Sequence, residues 1–162
     1  MENFRSLILR SNRYLGSALL EANYITQQQL EEANDILVAK LKSGNWQDSS
    51  LLKILLFDLN AFQESILWET SQNTLIDIAS YNIPDPKALG ISHELCKSTW
   101  CLPFGHEEKF YFIATSYSLC KPAIDYWEDK LDGKIIWYTT PMESLIAMLH
   151  KLPNTLQSAI SH

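Results

Sequence analysis

The first half of the chain places its apolar residues at helical intervals. Over residues 4–22, Phe4, Leu7, Ile8, Tyr14, Leu15, Ala18, Leu19 and Ala22 fall on one stripe, which predicts a helix with a break near Ser11-Asn12. Asn23 suits a left-handed stop. Thr26, with Gln29 three residues later, forms a capping box that opens a second helix, and Leu30, Ala33, Ile36, Leu37 and Leu41 make its apolar face. Gly44 ends it. The linker over 43–50 is polar apart from Trp46, which reads either as a satellite core contact or as an interface anchor. A third helix is expected over 50–59. A fourth is expected from Asn60, with Gln63 at the box position, burying Ile66, Leu67, Thr70 and Leu75. Leu15, Leu19, Leu20 and Leu30 recur as Leu51, Leu55, Leu56 and Ile66 at a constant offset of 36. That spacing fits an internal repeat and equally fits two unrelated amphipathic hairpins.

In the second half the period changes. The segment 83–86 holds two prolines, each of which biases its predecessor away from helix. Ser92 is placed to cap a short helix through Lys97, with Ile91 and Leu95 apolar. A short strand is expected over 100–104, followed by a polar turn at Gly105-His106-Glu107-Glu108. Residues 109–115 and 134–140 are aromatic and β-branched, the two clearest strands in the chain. Between them Pro122 starts a helix carrying Ile124, Trp127 and Leu131, which Asp132-Gly133 stops. One helix-length crossover between two strands predicts parallel neighbours and a right-handed connection. Thr140-Pro141 is expected to cap a last helix, with Pro at its first position and with Met142, Leu145, Ile146, Met148 and Leu149 inward. The reading is therefore an α+β fold. A helical lobe of two hairpins (1–75) packs with an α/β lobe (76–152) whose small mixed sheet contains a βαβ crossover, and a tail (153–162) is expected to fray.

Composition narrows the function. The 162 residues are 46% apolar and include five Trp, seven Tyr and six Phe, enough to build a core and to exclude wholesale disorder. A net charge of -6 without a basic cluster argues against nucleic acid and against an anionic membrane surface. The longest apolar run, 51–57, contains Lys53 and is too short to span a bilayer. Three cysteines and no signal peptide imply a reducing, cytoplasmic setting.

Catalytic equipment is hard to find. The five glycines form neither a P-loop nor a dinucleotide fingerprint. Neither His93-Glu94 nor His106-Glu107 has the second His of a helical zinc-protease motif, and no nucleophile elbow occurs. His93, Cys96, Cys101 and His106 have an H-x2-C-x4-C-x4-H spacing that tetrahedral zinc ligation could use. The plain alternative is buried cysteines and two unrelated histidines spread over a helix, a strand and a turn. Cys120 reads as structural. Asp125, Glu128 and Asp129, like Glu107 and Glu108, read as solvated charge. No enzyme, cofactor or metal is assigned.

The segment from Tyr14-Leu15-Gly16 through Leu19-Leu20, Asn23, Ile25 and Thr26 to Leu30 resembles the N-terminal domain of the ATPases that drive type II secretion and type IV pilus assembly. That family's pattern reads Arg-Leu-Gly, two spacers, a pair of aliphatic residues, two spacers, Gly, a spacer, Ile, four spacers, Leu. The downstream order of helix, Leu102-Pro103-Phe104 strand, turn, strand, helix, Gly133, strand and helix also fits, so the resemblance covers about residues 12–151.

The resemblance implies a non-catalytic interaction or regulatory module. Its partner would be the cytoplasmic part of an inner-membrane assembly protein, or an assembly ATPase, with the chain peripheral to that complex and not inserted in the membrane. With no ATPase core following, it implies a free-standing adaptor. One branch of the family binds cyclic di-GMP through two tandem Leu-Gly motifs, which makes a nucleotide sensor the alternative; a zinc-dependent adaptor stands third. The implied ligand-binding residues are Arg13, Tyr14, Leu15, Gly16, Leu19, Leu20 and Ile25. This sequence departs from the pattern at several points. Tyr14 holds the Arg position with Arg13 beside it, Asn23 replaces the second Gly, and Leu37 replaces the terminal Gln. In the second copy Ser50, Leu52 and Leu59 stand for Arg, Gly and Gly. Ser and Tyr cannot imitate the planar charge-assisted bonds of a guanidinium.

Overall fold

The computed structural model describes residues 4–44, 50–117 and 120–152. Trp46 and the expected frayed tail lie outside the described residues.

Helix α1 (Arg5–Glu21) runs unbroken through Ser11-Asn12, contrary to the expected break. The reason is tertiary. A mid-helix Asn destabilises by competing for its own backbone, but the Asn12 Oδ1 is engaged elsewhere, accepting the Leu51 N–H at 3.0 Å. Asn23 is left-handed (φ 64°) and turns the chain into α2 (Gln27–Lys42). The Thr26–Gln29 capping box is present in both directions, at 3.1 and 2.9 Å.

Ser50 accepts the Lys53 N–H and opens α3 (Leu51–Lys53), which widens into a π-helical turn over Ile54–Asp58. Ile54, Leu55 and Leu56 are all buried there. Asn60 is left-handed (φ 47°), so it does not cap as expected, because an N-cap needs extended backbone. Helix α4 begins five residues later (Ser65–Thr70). Leu67 is buried in it, but Leu75 is not a core residue. It lies in the two-residue strand β1 (Thr74–Leu75) and is 46% exposed.

The segment with two prolines ends in a 3-10 turn (Pro86–Leu89) capped by Asp85. Helix α5 (His93–Thr99) starts at Ser92, whose Oγ accepts the Leu95 N–H, and stops at Trp100, left-handed at φ 56°. Strand β2 (Cys101–Glu107) extends through Gly105 and His106, where a turn was expected. It pairs antiparallel with β3 (Phe110–Thr115) across a tight turn in which Glu108 is left-handed at φ 53°. A bulge between Pro103 and Gly105 shifts the register. Pro103 is tolerated because β2 is an edge strand.

Helix α6 (Lys121–Lys130) then leads to β4 (Lys134–Thr139), parallel to β3 from Phe110↔Lys134 to Thr115↔Thr139. The sheet order is β1-β4-β3-β2, with β1 also parallel to β4. This is the expected mixed sheet with its strand–helix–strand unit.

The last helix, α7 (Met142–His150), follows Pro141, which stands just before it instead of at its first position. The Thr140 hydroxyl accepts the Ile78 N–H and does not cap α7. Its cap comes from Glu64, whose Oε2 accepts the Met142 N–H at 2.7 Å. One apolar cluster runs from Phe4 and Leu7 through Leu19, Leu55, Leu95, Ile113 and Trp127 to Leu149. The core is therefore shared by the helices of the first half and the sheet of the second.

Candidate functional site

The residues of the Leu-Gly motif are distributed over three environments. Arg13 and Gly16 line a groove of about 350 Å³ between α1 and α2. Its apolar walls are Leu9, Leu30, Leu37, Val38 and Leu41, and Leu9 (36%) and Val38 (47%) remain exposed. Tyr14 follows Arg13 by one residue, about 100° around the helix, and lines a separate groove against α6 with Arg10, Lys121 and Tyr126. Leu15, Leu19 and Ile25 are buried in the core, and Leu20 packs half-buried against it.

Gly16 has a packing role that the motif comparison did not reveal. A Cβ there would lie 2.9 Å from the Leu30 Cδ1 and 3.0 Å from the Leu51 Cδ2. The absent side chain lets α2 and α3 close on α1.

The His/Cys candidates are likewise separated. His93 is buried and its Nε2 sits 2.6 Å from the Asp85 Oδ1. Cys96 and Cys101 are buried. His106 is in β2, not at the top of a turn, and its ring stacks on Tyr111 at 4.2 Å. Among the described residues no group of three or more His, Cys, Asp or Glu is placed to hold a metal ion. Burial pushes the Cys96 thiol well up, that of Cys101 up to about 12 and that of Cys120 up to about 11. Thiols so shifted are poor nucleophiles at neutral pH.

A second concavity was not visible in the sequence. It is a cleft of about 310 Å³ at the C-terminal ends of the parallel strands β3 and β4. The end of α1 and its exit turn supply Ala18, Glu21, Ala22 and Tyr24, and α4 and its exit supply Leu67, Thr70 and Ser71. Ser116, Tyr117 and Thr139 close the strand side. Tyr24 is held by stacking on Phe62. The Ser71 and Thr139 hydroxyls are 2.8 Å apart and satisfy each other. Ser116 is 1% exposed and its Oγ has no hydrogen-bond partner among the described residues. Burial pushes the Tyr117 phenol up to about 12, so it stays neutral. The sequence does not mark these residues as one set, because they come from four separate segments.

The fold is shared with known proteins. A structure of MshE with cdg aligns with 86% of this chain and 98% of its own, at 19% identity and a TM-score of 0.51. The N-terminal domain of XpsE aligns with 87% of this chain and 95% of its own, at 17% identity and a TM-score of 0.53. No protein-family model matches the sequence, and no curated protein does. Among the described residues no helix is long and apolar enough to cross a membrane.

Proposed function

We propose that the chain is a non-catalytic docking or regulatory module of a secretion or pilus assembly system. It would work in the cytoplasm and receive a protein partner such as the cytoplasmic part of an inner-membrane assembly protein. The observation that carries this reading is the likeness of nearly the whole fold to an N-terminal domain of XpsE and to MshE.

The surface best suited to a partner is the α1–α2 groove. Leu9 and Val38 stand exposed on its rim and Leu30, Leu37 and Leu41 form its floor. An amphipathic helix laid there would bury both rim residues. Arg13 at the edge would favour a partner with acidic residues flanking its apolar face.

The test is a binding measurement with the cytoplasmic portion of an assembly protein encoded near this chain. Val38→Asp and Leu9→Glu place charge on exposed positions and should weaken binding by about tenfold or more without unfolding the protein. Unchanged affinity in both variants would move the interface off this groove. Failure of the unmodified chain to bind any such protein would overturn the docking role.

A further inference from the structure

We propose that the cleft at the ends of β3 and β4 is a binding site for a small organic ammonium compound, a cationic head on an apolar body. This goes beyond the docking role and uses a different surface. Pockets that take small molecules are mostly apolar with a few convergent polar groups, and in sheets with parallel strands they favour the strands' carboxyl ends. This cleft meets both conditions.

Its chemistry selects the ligand's charge. Among the described residues Glu21 is the only charged one in the wall, and it takes part in none of the ion pairs between described residues. Among the described residues no Lys or Arg lines the cleft, so an anion would meet a carboxylate and no compensating cation. Two tyrosines, Tyr24 and Tyr117, line the cleft, and a cation against an aromatic ring is favoured electrostatically. Aromatic rings with one carboxylate are the side-chain set that recognises an ammonium group. Ala18, Ala22 and Leu67 provide the apolar wall for the body. The Ser116 hydroxyl is buried and unpartnered, and a buried hydroxyl without a partner is costly.

Nuclear magnetic resonance on the full chain tests this with three matched probes. Phenethylammonium, 2-phenylethanol and 3-phenylpropionate share a body and differ in charge. Phenethylammonium should give saturable shifts at the amides of Ala22, Ser71, Ser116 and Tyr117. The alcohol should bind more weakly, and the carboxylate should leave these amides unmoved. Glu21→Gln, on an exposed helix end, should weaken phenethylammonium by about tenfold and abolish its advantage over the alcohol. Ala22→Lys sets a tethered ammonium at the cleft and should block the probe. Added salt should weaken the cation alone. Equal binding of the carboxylate, insensitivity to Glu21→Gln, or no saturable shift at the cleft at millimolar phenethylammonium would each overturn the assignment.

Discussion

The carboxylate of Glu64 caps the last helix by accepting the backbone N–H of Met142 at 2.7 Å, a bond between residues 78 apart in the chain. It sits just before α4 and reaches the first turn of α7, so it ties the end of the helical half to the end of the α/β half. Burial raises the Glu64 carboxyl above its ordinary range, and the Met142 hydrogen bond only partly opposes that. A group whose folded pKa is raised is protonated more readily in the native state. Its contribution is fully present below the unfolded value of 4.5 and is lost as pH rises through the folded one.

Two substitutions separate the cap from the charge. Glu64→Ala removes the acceptor and should cost about 0.5–2 kcal/mol. Glu64→Gln keeps an acceptor for Met142 without the ionisable group. Its stability relative to the native sequence should therefore improve as pH rises from about 4 to 7. Urea unfolding across that range checks the sign. A difference that stays flat, or that favours the native sequence more as pH rises, would show that Glu64 is not the group in question.

Trp127 is fully buried, and its indole N–H donates to the Thr99 Oγ1 at 2.9 Å, which in turn donates to the Leu95 carbonyl at 2.7 Å. This chain locks α6 onto α5. Thr99→Val keeps the shape but leaves the indole donor unpaired inside the core, which should cost about 1–3 kcal/mol. Thr99→Ser retains the hydroxyl and should cost less. Equal melting temperatures for the Val and Ser variants would show that the hydrogen bond contributes nothing.

The cysteines should be slow to react. With its thiol pushed from the ordinary 9.0 up to about 11, native Cys120 should be modified about 100-fold more slowly than a free thiol near pH 8. Cys101 should be slower still. Adding denaturant should release all three. The same shifts, with Tyr117, make stability fall as pH rises above about 9, because the unfolded thiols and phenol ionise first. Rapid labelling of Cys120 in the native protein would contradict the burial argument.

Cyclic di-GMP should bind weakly or not at all. The MshE structure with cdg shares this fold, but here Ser50, at the expected Arg position of the second motif copy, is buried and accepts the Lys53 N–H. Arg13 and Tyr14 line different grooves, Arg13 beside Gly16 and Tyr14 beside Arg10, so the two guanidiniums nearest the first copy do not share one groove. Each missing charge-assisted bond costs about 1.5–3 kcal/mol, or about tenfold to a hundredfold in affinity. Titration calorimetry decides. Submicromolar binding lost in Arg13→Ala would favour nucleotide sensing over docking.

The features legible in the sequence are those whose cause lies within a few residues. The Thr26–Gln29 box, the left-handed Asn23, the Ser92 cap and the two strands flanking α6 all depend on local caps or on local periodicity. The Leu-Gly motif pointed to α1 and to the fold, yet Gly16 turned out to be packed under Leu30 and Leu51. That contact depends on α2 and α3, which no inspection of residues 14–16 could supply.

Helix and strand periods, caps and turn residues act over short range, so the class of elements and their order can be read from the chain alone. Where α1 continues, where α4 starts, that Leu75 joins a sheet and that Glu64 caps α7 emerge only once the folded elements meet. Three of those outcomes rest on a hydrogen bond to a distant partner: Asn12 to Leu51, Ile76 to Thr139, Met142 to Glu64. The amine cleft has the same origin. Its walls are ordinary residues from four segments, and they acquire a chemical character only when the chain brings Glu21, Tyr24, Ser116 and Tyr117 to one place. Backbone donors and buried hydroxyls must find partners somewhere, but the sequence does not say which distant residue will supply them.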